Sequence, residues 1–438
     1  MKKDVVRRVV PAAKWGWIVA ALMAWMGSGS AARAQAREET LSPDWVVHRA
    51  LDANPTLEAA SSRVLSARSR VAQVGDLDDP MLMLRVWGLP IDVVSRPPDQ
   101  IMLMAQQSFP LSGVRGDRER VEATRARDAE TERVVARHAV VQEAELAFVR
   151  VWEAHRSVAA LIEQLATAEQ LHTIAVARSG AATASPVDVA ATAVEIARVQ
   201  TDLETARLRS DGSRAGLRVV LGLSPDAPLG DPVDIGVADE LPSLDALVRE
   251  ALRTRPELEL PESALARSRA MGDTARAQNA PVMTVGGGLM SMPNAMQLGD
   301  AFGWMVELGV SVPIWRDARN AREDEATALA GEARAARDAW RRALTQEVTA
   351  AWEEATVTRG RLAALESGVA SAVQASWDTA LAQYGASGGL ASAVDALRLF
   401  VALDVELVAA RADAIRAEVM LSHAAGRLPH HFTMGGAR

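Results

Sequence analysis

The chain has 438 residues, a formal charge of −8, 4% aromatic residues and no cysteine. Cysteine-free chemistry excludes a disulfide framework, a thiolate metal site, a cysteine nucleophile and a lipid-modified N-terminal cysteine. The acidic balance excludes a nucleic-acid binder recognised by charge.

Residues 1–34 read as a signal peptide. Lys2, Lys3, Arg7, Arg8 and Lys14 form the positive end, Trp15–Met26 the apolar run, and Ala32-Arg33-Ala34 an A-x-A cleavage site before Gln35. A dozen apolar residues suit a signal peptide, whereas an uncleaved membrane anchor needs about 20. Cleavage takes the formal charge to −13.

The rest is one pattern written twice, as residues 35–222 and 245–426. Asn54-Pro55-Thr56-Leu57-Glu58 answers Arg255-Pro256-Glu257-Leu258-Glu259, and Pro80-Met81 answers Pro281-Val282, both at an offset of 201 residues. Gln142-Glu143, Phe148 and Ala159-Ala160-Leu161 answer Gln346-Glu347, Trp352 and Ala363-Ala364-Leu365 at an offset of 204. An internal repeat fixes architecture before any single motif does. The unit reads as helix, strand, strand, very long helix, turn, very long helix.

In chain order, residues 43–69 read as a helix broken by Gly75-Asp76 and Asp78-Asp79-Pro80. Residues 81–89 and 101–109 are the first two strands, with a proline-rich loop between them. A helical hairpin over 114–222 follows, turning at Gly180–Pro186. Its heptad rows are Ala144, Val151, Val158, Leu165 and Ala147, Ala154, Leu161, Ala168, the pattern of coiled-coil packing. Residues 223–244, rich in Pro and Gly, form the interrepeat linker. In the second copy the strands are 282–291 and 302–312. Its hairpin spans 314–426, turning at Gly385–Gly389, and 427–438 is a short tail.

Ten-residue strands have the length of membrane-crossing β-strands. Trp304, Val306, Leu308 and Val310 alternate with Met305, Glu307, Gly309 and Ser311, which fits an apolar-out, polar-in barrel wall. The same runs fit two soluble hairpins packed on the helices. If the strands do cross a membrane, four cannot close a barrel, and lipid does not tolerate an open edge. Several chains must then contribute, and three would supply twelve strands, enough to leave a lumen.

The chain resembles the TolC-like outer-membrane factors of bacterial tripartite efflux pumps. The resemblance rests on the duplication, on the strand-strand-helix order, and on Gln107-Ser108-Phe109-Pro110-Leu111-Ser112-Gly113, which looks like the family's step from strand to helix. Gly88-Leu89-Pro90 looks like an element of the heavy-metal efflux branch. The resemblance implies a mainly α fold with a transmembrane β part: a homotrimer with a twelve-stranded outer-membrane β-barrel continued by a periplasmic coiled-coil barrel. Its implied partners are outer-membrane lipid, a periplasmic adaptor protein and an inner-membrane transporter of the resistance-nodulation-division type. The implied function is a passive exit duct for heavy-metal cations. A drug or type I protein secretion outlet of the same fold, or a periplasmic coiled-coil adaptor, are the alternatives. Many relatives carry a lipidated N-terminal cysteine, which this chain lacks, and the short linker and tail imply a small equatorial domain.

No active site or cofactor site is expected. His138, His155 and His172 recur every seventeen residues but fall on different helix faces, and His430-His431 reads as solvated tail. Gly286-Gly287-Gly288 lacks the lysine of a phosphate loop and reads as relief of crowding in a strand. Two groups of candidates remain. Arg178, Gly180, Asp188, Gln383, Tyr384, Gly385 and Asp395 sit near the hairpin turns, where the resemblance places a periplasmic gate; the two aspartates also suit helix starts. Met81, Met83, Met102, Met104 and Met305 alternate onto strand faces with Arg85, Gln106 and Glu307, as candidate lumen ligands for a soft metal or as adaptable filler.

Overall fold

The computed structural model describes residues 40–88, 100–292 and 301–434. The signal-peptide expectation, the two loops between paired strands, Leu89 and Pro90, Met296 and the last four residues lie outside the described residues.

Helix α1 (Pro43–Ala53) and α2 (Pro55–Val74) replace the single helix expected over 43–69. Pro55 disfavours helical backbone at the preceding residue. Asn54 accordingly sits at φ −81°, ψ 116°, and its side chain accepts the Thr56 N–H at 2.9 Å, capping α2. Pro55 thus opens α2 at its first helical position and ends the helix before it.

Strands β1 (Met81–Trp87) and β2 (Gln100–Pro110) pair antiparallel. Helix α3 (Val114–Gly180) then runs 67 residues without a break, about 100 Å at 1.5 Å per residue. Helix α4 (Pro186–Val220) returns along it, started by Ser185, whose hydroxyl accepts the Val187 N–H at 3.1 Å. The linker carries the two-residue strand β3 (Ile235–Gly236) and leads into α5 (Leu244–Thr254), one 3-10 turn and α6 (Glu259–Ala277). Strands β4 (Val282–Met292) and β5 (Ala301–Val310) come next. β5 stops short of residue 312 because Ser311 turns its hydroxyl to the Val282 N–H and Pro313 follows.

Helices α7 (Asp317–Ala364) and α8 (Ala370–Ser387) are one rod joined by a π-turn at Leu365–Val369. Core-facing positions advance by three or four residues along it, as Val373, Trp377, Ala380 and Tyr384 show, except for a five-residue step from Leu365 to Ala370. The π-turn absorbs that extra residue and keeps the apolar seam aimed at its partner. Helix α9 (Leu390–Ala424) returns along the rod, and β6 (Thr433–Met434) pairs with β3.

The four long strands form one sheet in the order β1-β2-β4-β5, all antiparallel, so β1 and β5 are its edges. The helices extend from the end of the sheet opposite the two strand loops. Next to the sheet, α2, α3, α6 and α7 pack side by side. Farther away, α4 and α9 take the places of α2 and α6 beside the same two rods. Four helices therefore stand abreast at either level. Where the sets exchange, a core of Val46, Ala50, Val141, Phe148, Trp152, Leu217, Leu221, Ile235 and Ile415 closes over the linker. Trp152 Nε1 donates to Asp234 at 2.9 Å, and Trp352 Nε1 to the Pro242 carbonyl at 3.1 Å. Both repeats thus pin the linker with a tryptophan.

The reading of His430-His431 as solvated tail fails for His430 and holds for His431. His430 is largely buried: its backbone N–H donates to Glu145 Oε1 at 2.7 Å, its Nδ1 meets Ser422 Oγ at 2.7 Å, and Phe432 packs edge-on against Phe148. His431 is exposed. The sequence hides this because the acceptor lies 285 residues away.

Candidate functional sites on the sheet and at the helical tips

Strand register sorts the sheet into two unlike faces. Met83 pairs with Met104, Met104 with Gly288, and Gly288 with Met305, so all four share one face. The neighbouring rung on that face holds Arg85, Met102, Met290 and Gly303; the rung beyond Met83 holds Met81, Gln106, Gly286 and Glu307. The other face carries Leu82, Leu84, Leu103, Leu289, Trp304, Val306, Leu308 and Val310, all exposed, Trp304 at 79%. A contiguous apolar face of this extent marks an interaction surface.

Glycine shapes the first face. A Cβ on Gly288 would lie 2.5 Å from the Leu103 carbonyl oxygen, so β2 and β4 approach more closely there than any other residue permits. A Cβ on Gly286 would lie 3.7 Å from Met104 Sδ, and one on Gly303 would lie 3.9 Å from Met290 Cε. The thioethers lean over bare backbone on the adjoining strand. Met104 is 2% exposed, whereas Met81 stands open at the rim.

At the far end, the two hairpin tips meet through Arg178. Its guanidinium donates to the Gly385 carbonyl at 2.5 Å and to the Thr183 carbonyl at 3.2 Å, and its Cζ lies 5.2 Å from the Tyr384 ring centroid. Tyr384 is fully buried, and its hydroxyl has no hydrogen-bond partner among the described residues. Burial, then the nearby Asp188 carboxylate, push the phenol above its ordinary pKa. Asp188 belongs to the first turn of α4, where a carboxylate meets the positive helix end. Asp395 lies beyond the first turn of α9, mostly exposed and 3.5 Å from Arg398. Gln383 is exposed, and open space surrounds Gly180 and Gly385. The second turn is tighter than expected: α8 continues through Gly385, and only Gly388 and Gly389 turn the chain, at φ +86° and +119°.

Four residues of this region were not singled out from the sequence. Arg398 reaches Glu195, buried on α4, at 2.5 Å, while Gln164 bonds Asp404 across α3 and α9. No local signal marks Glu195, which at seven-residue spacing aligns with Asp188, Asp202 and Arg209 in a charged row. Beside these pairs, a groove of about 830 Å³ between α3, α4 and α9 is lined by Arg150, Glu153, Glu195, Arg198, Asp202 and Arg398.

His138, His155 and His172 stay apart. His172 Nδ1 meets Thr192, His155 lies 3.8 Å from Asp231, and burial lowers the pKa of His138. Among the described residues, no three His, Cys, Asp or Glu side chains could share a metal ion, and no helix is long and apolar enough to cross a membrane.

An antiparallel sheet of four strands, apolar on one face and continued by duplicated helical hairpins, is the protomer fold of TolC-like outer-membrane channels. No family model matches the sequence, and no curated protein is similar to it. Solved structures do match. The outer-membrane channel OprN is similar with a TM-score of 0.70 and 19% identity, over 88% of this chain and 89% of that one. CusC, described through its folding and transmembrane channel formation, gives 0.72 and 16%, over 89% and 93%. The MtrE outer-membrane channel of Neisseria gonorrhoeae, in its open state, gives 0.70 and 17%, over 88% of each chain. Such identities show a shared fold and do not separate heavy-metal from drug channels.

Proposed function

We propose that this chain is one third of a passive exit duct, without enzymatic activity, spanning the outer membrane and reaching into the periplasm of a Gram-negative cell. The observation that carries the reading is the two-faced sheet with two free edges. Its exposed leucines, valines and Trp304 suit lipid, and its Met, Gln, Arg and Glu face suits water. β1 and β5 require strands from neighbouring copies, because lipid leaves no unpaired backbone unanswered. The helices repeat the argument. α4 exposes Val187, Val194 and Leu208 on one heptad row, and the opposite edge of the helical layer exposes Val357 on α7 and Val369 in the π-turn that joins α7 to α8. These rows match if three copies close a ring, giving twelve strands and twelve helices abreast.

The hairpin tips form the periplasmic end. Arg178, Tyr384 and Gly385 tie one tip to the other, so Arg178 and Tyr384, with Asp188 beside them, hold the gate. Gly180 leaves room at the turn, and Gln383 and Asp395 present polar groups to solvent. The groove between α3, α4 and α9 offers alternating charge to a periplasmic adaptor, which links the duct to an inner-membrane transporter of the resistance-nodulation-division type. The cargo is heavy-metal cations, supported by the thioethers gathered on the water-facing side of the sheet. The experiment is deletion of the gene followed by challenge with Cu(I), Ag(I), Zn(II), Co(II) and Cd(II) beside organic drugs. Metal sensitivity is the expected result. Sensitivity to drugs alone replaces the cargo while keeping the duct, and a protein extracted without detergent removes the duct.

A further inference from the structure

We propose that Met83, Met104 and Met305 form a transit site for a soft monovalent cation, Cu(I) or Ag(I). The inference rests on the duct reading, which turns this face toward the lumen. Register sets the three on one line across the sheet, and the single residue between Met104 and Met305 is Gly288. No side chain separates them. Met102 and Met290 stand on the next rung, about 7 Å along the strands. Five thioethers thus occupy two adjacent rungs of one face. The opposite face uses leucine, valine and tryptophan at the same heights, so apolar filling by itself does not call for methionine here.

Position favours binding. Met104 is buried with its sulfur over Gly286, so little rotamer freedom remains to be lost when a cation arrives. Thioether sulfur prefers Cu(I) and Ag(I) over Zn(II) or Co(II), and the chain holds no cysteine to compete for them. Charge sets the strength. Glu307 lies on the rung to one side and attracts a cation; Arg85 lies on the rung to the other side and repels it. A conducting site must bind well enough to admit an ion and weakly enough to release it.

The test is Ag(I) titration of the detergent-extracted protein, with Zn(II) in parallel and conductance measured on the same preparation. The expected result is about one Ag(I) per chain and no Zn(II) at this site. Combined Met83→Leu, Met104→Leu and Met305→Leu weakens Ag(I) roughly tenfold or more with conductance retained, because three soft ligands are lost without loss of volume. Met271→Leu with Met420→Leu, away from the sheet, leaves binding unchanged. Should the triple variant fail to assemble, X-ray absorption of the Ag(I)-loaded native protein decides. Sulfur in the first shell supports the site, since methionine is the only sulfur in the chain; nitrogen and oxygen alone overturn it. A conducting protein with no Ag(I) bound, or with binding unchanged in the triple variant, overturns the site and leaves the duct. Absence of conductance removes the duct on which it rests.

Discussion

Glu145 is the residue on which the two repeats and the tail converge. It is fully buried on α3, its Oε2 lies 2.8 Å from His423 Nε2 on α9, and its Oε1 accepts the His430 N–H. Removing one partner of a buried pair leaves the other without compensation, so Glu145→Ala costs about 3 kcal/mol, measurable as a lowered unfolding midpoint of the assembled protein. His430 adds pH dependence. Burial, then repulsion from His423 and His431, push its pKa down from 6.5 to about 4. Glu145 and Ser422 also face it, with Glu240, Glu418 and Arg427 lining the adjoining cavity. The undocked tail takes a proton below pH 6.5 and the docked tail only near pH 4. Docking is therefore strongest well above pH 6.5 and weakens as pH falls toward 4, by roughly fivefold between pH 6.5 and 5.5. Hydrogen exchange of residues 427–434 between pH 7 and 5 should rise accordingly; protection independent of pH would show that His430 does not govern the tail.

At the scale of elements, the hairpin tips are where a local change has the clearest mechanical outcome. Arg178 makes two carbonyl contacts and one aromatic contact, bridging elements more than 200 residues apart in sequence. Arg178→Ala removes about 1–3 kcal/mol of tip closure per chain. Single-channel conductance of the reconstituted protein should rise, and conductance equal to that of the native protein would remove Arg178 from the gate. Asp188→Ala should act in the same direction, more weakly, through Tyr384; Asp395→Ala should not, because Asp395 is mostly exposed and its ion pair is with Arg398. This separation of two aspartates that look alike in the repeat was illegible in the sequence. Periodicity and turn residues told which stretches are rods, strands and tips, since those follow from local spacing. They also put the methionines on a face with Arg85, Gln106 and Glu307, because strand alternation is local. They did not tell that α1 ends at Asn54, that the rod of the second repeat carries a π-turn, or that Glu145 holds the tail. Each of those depends on a competing local signal or on a partner hundreds of residues away.

At the scale of the whole molecule, the two repeats make this chain a sector with matching but unsatisfied sides. One side is β1 above and α4 below; the other is β5 above and α7 with α8 below. Such a heterologous interface closes into a ring only at a fixed number of copies. Two copies would give eight strands, whose interior the side chains fill; three give twelve, with room for a lumen. The glycines opposite Met104 and Met290 agree with the larger ring, since they clear the polar face where a filled barrel would need bulk. The chain has no cysteine, so introduced thiols report without background. Leu82→Cys or Leu84→Cys on β1, combined with Val306→Cys or Leu308→Cys on β5 in the same chain, should yield covalent ladders ending at three after a short bifunctional reagent. Either cysteine alone should leave monomers on a denaturing gel, because edge meets unlike edge. A ladder ending at two would select the closed eight-stranded form and remove the lumen. Monomers from every double variant in detergent-extracted protein would show that the free strand edges are not joined by other copies, and the duct would fall with them.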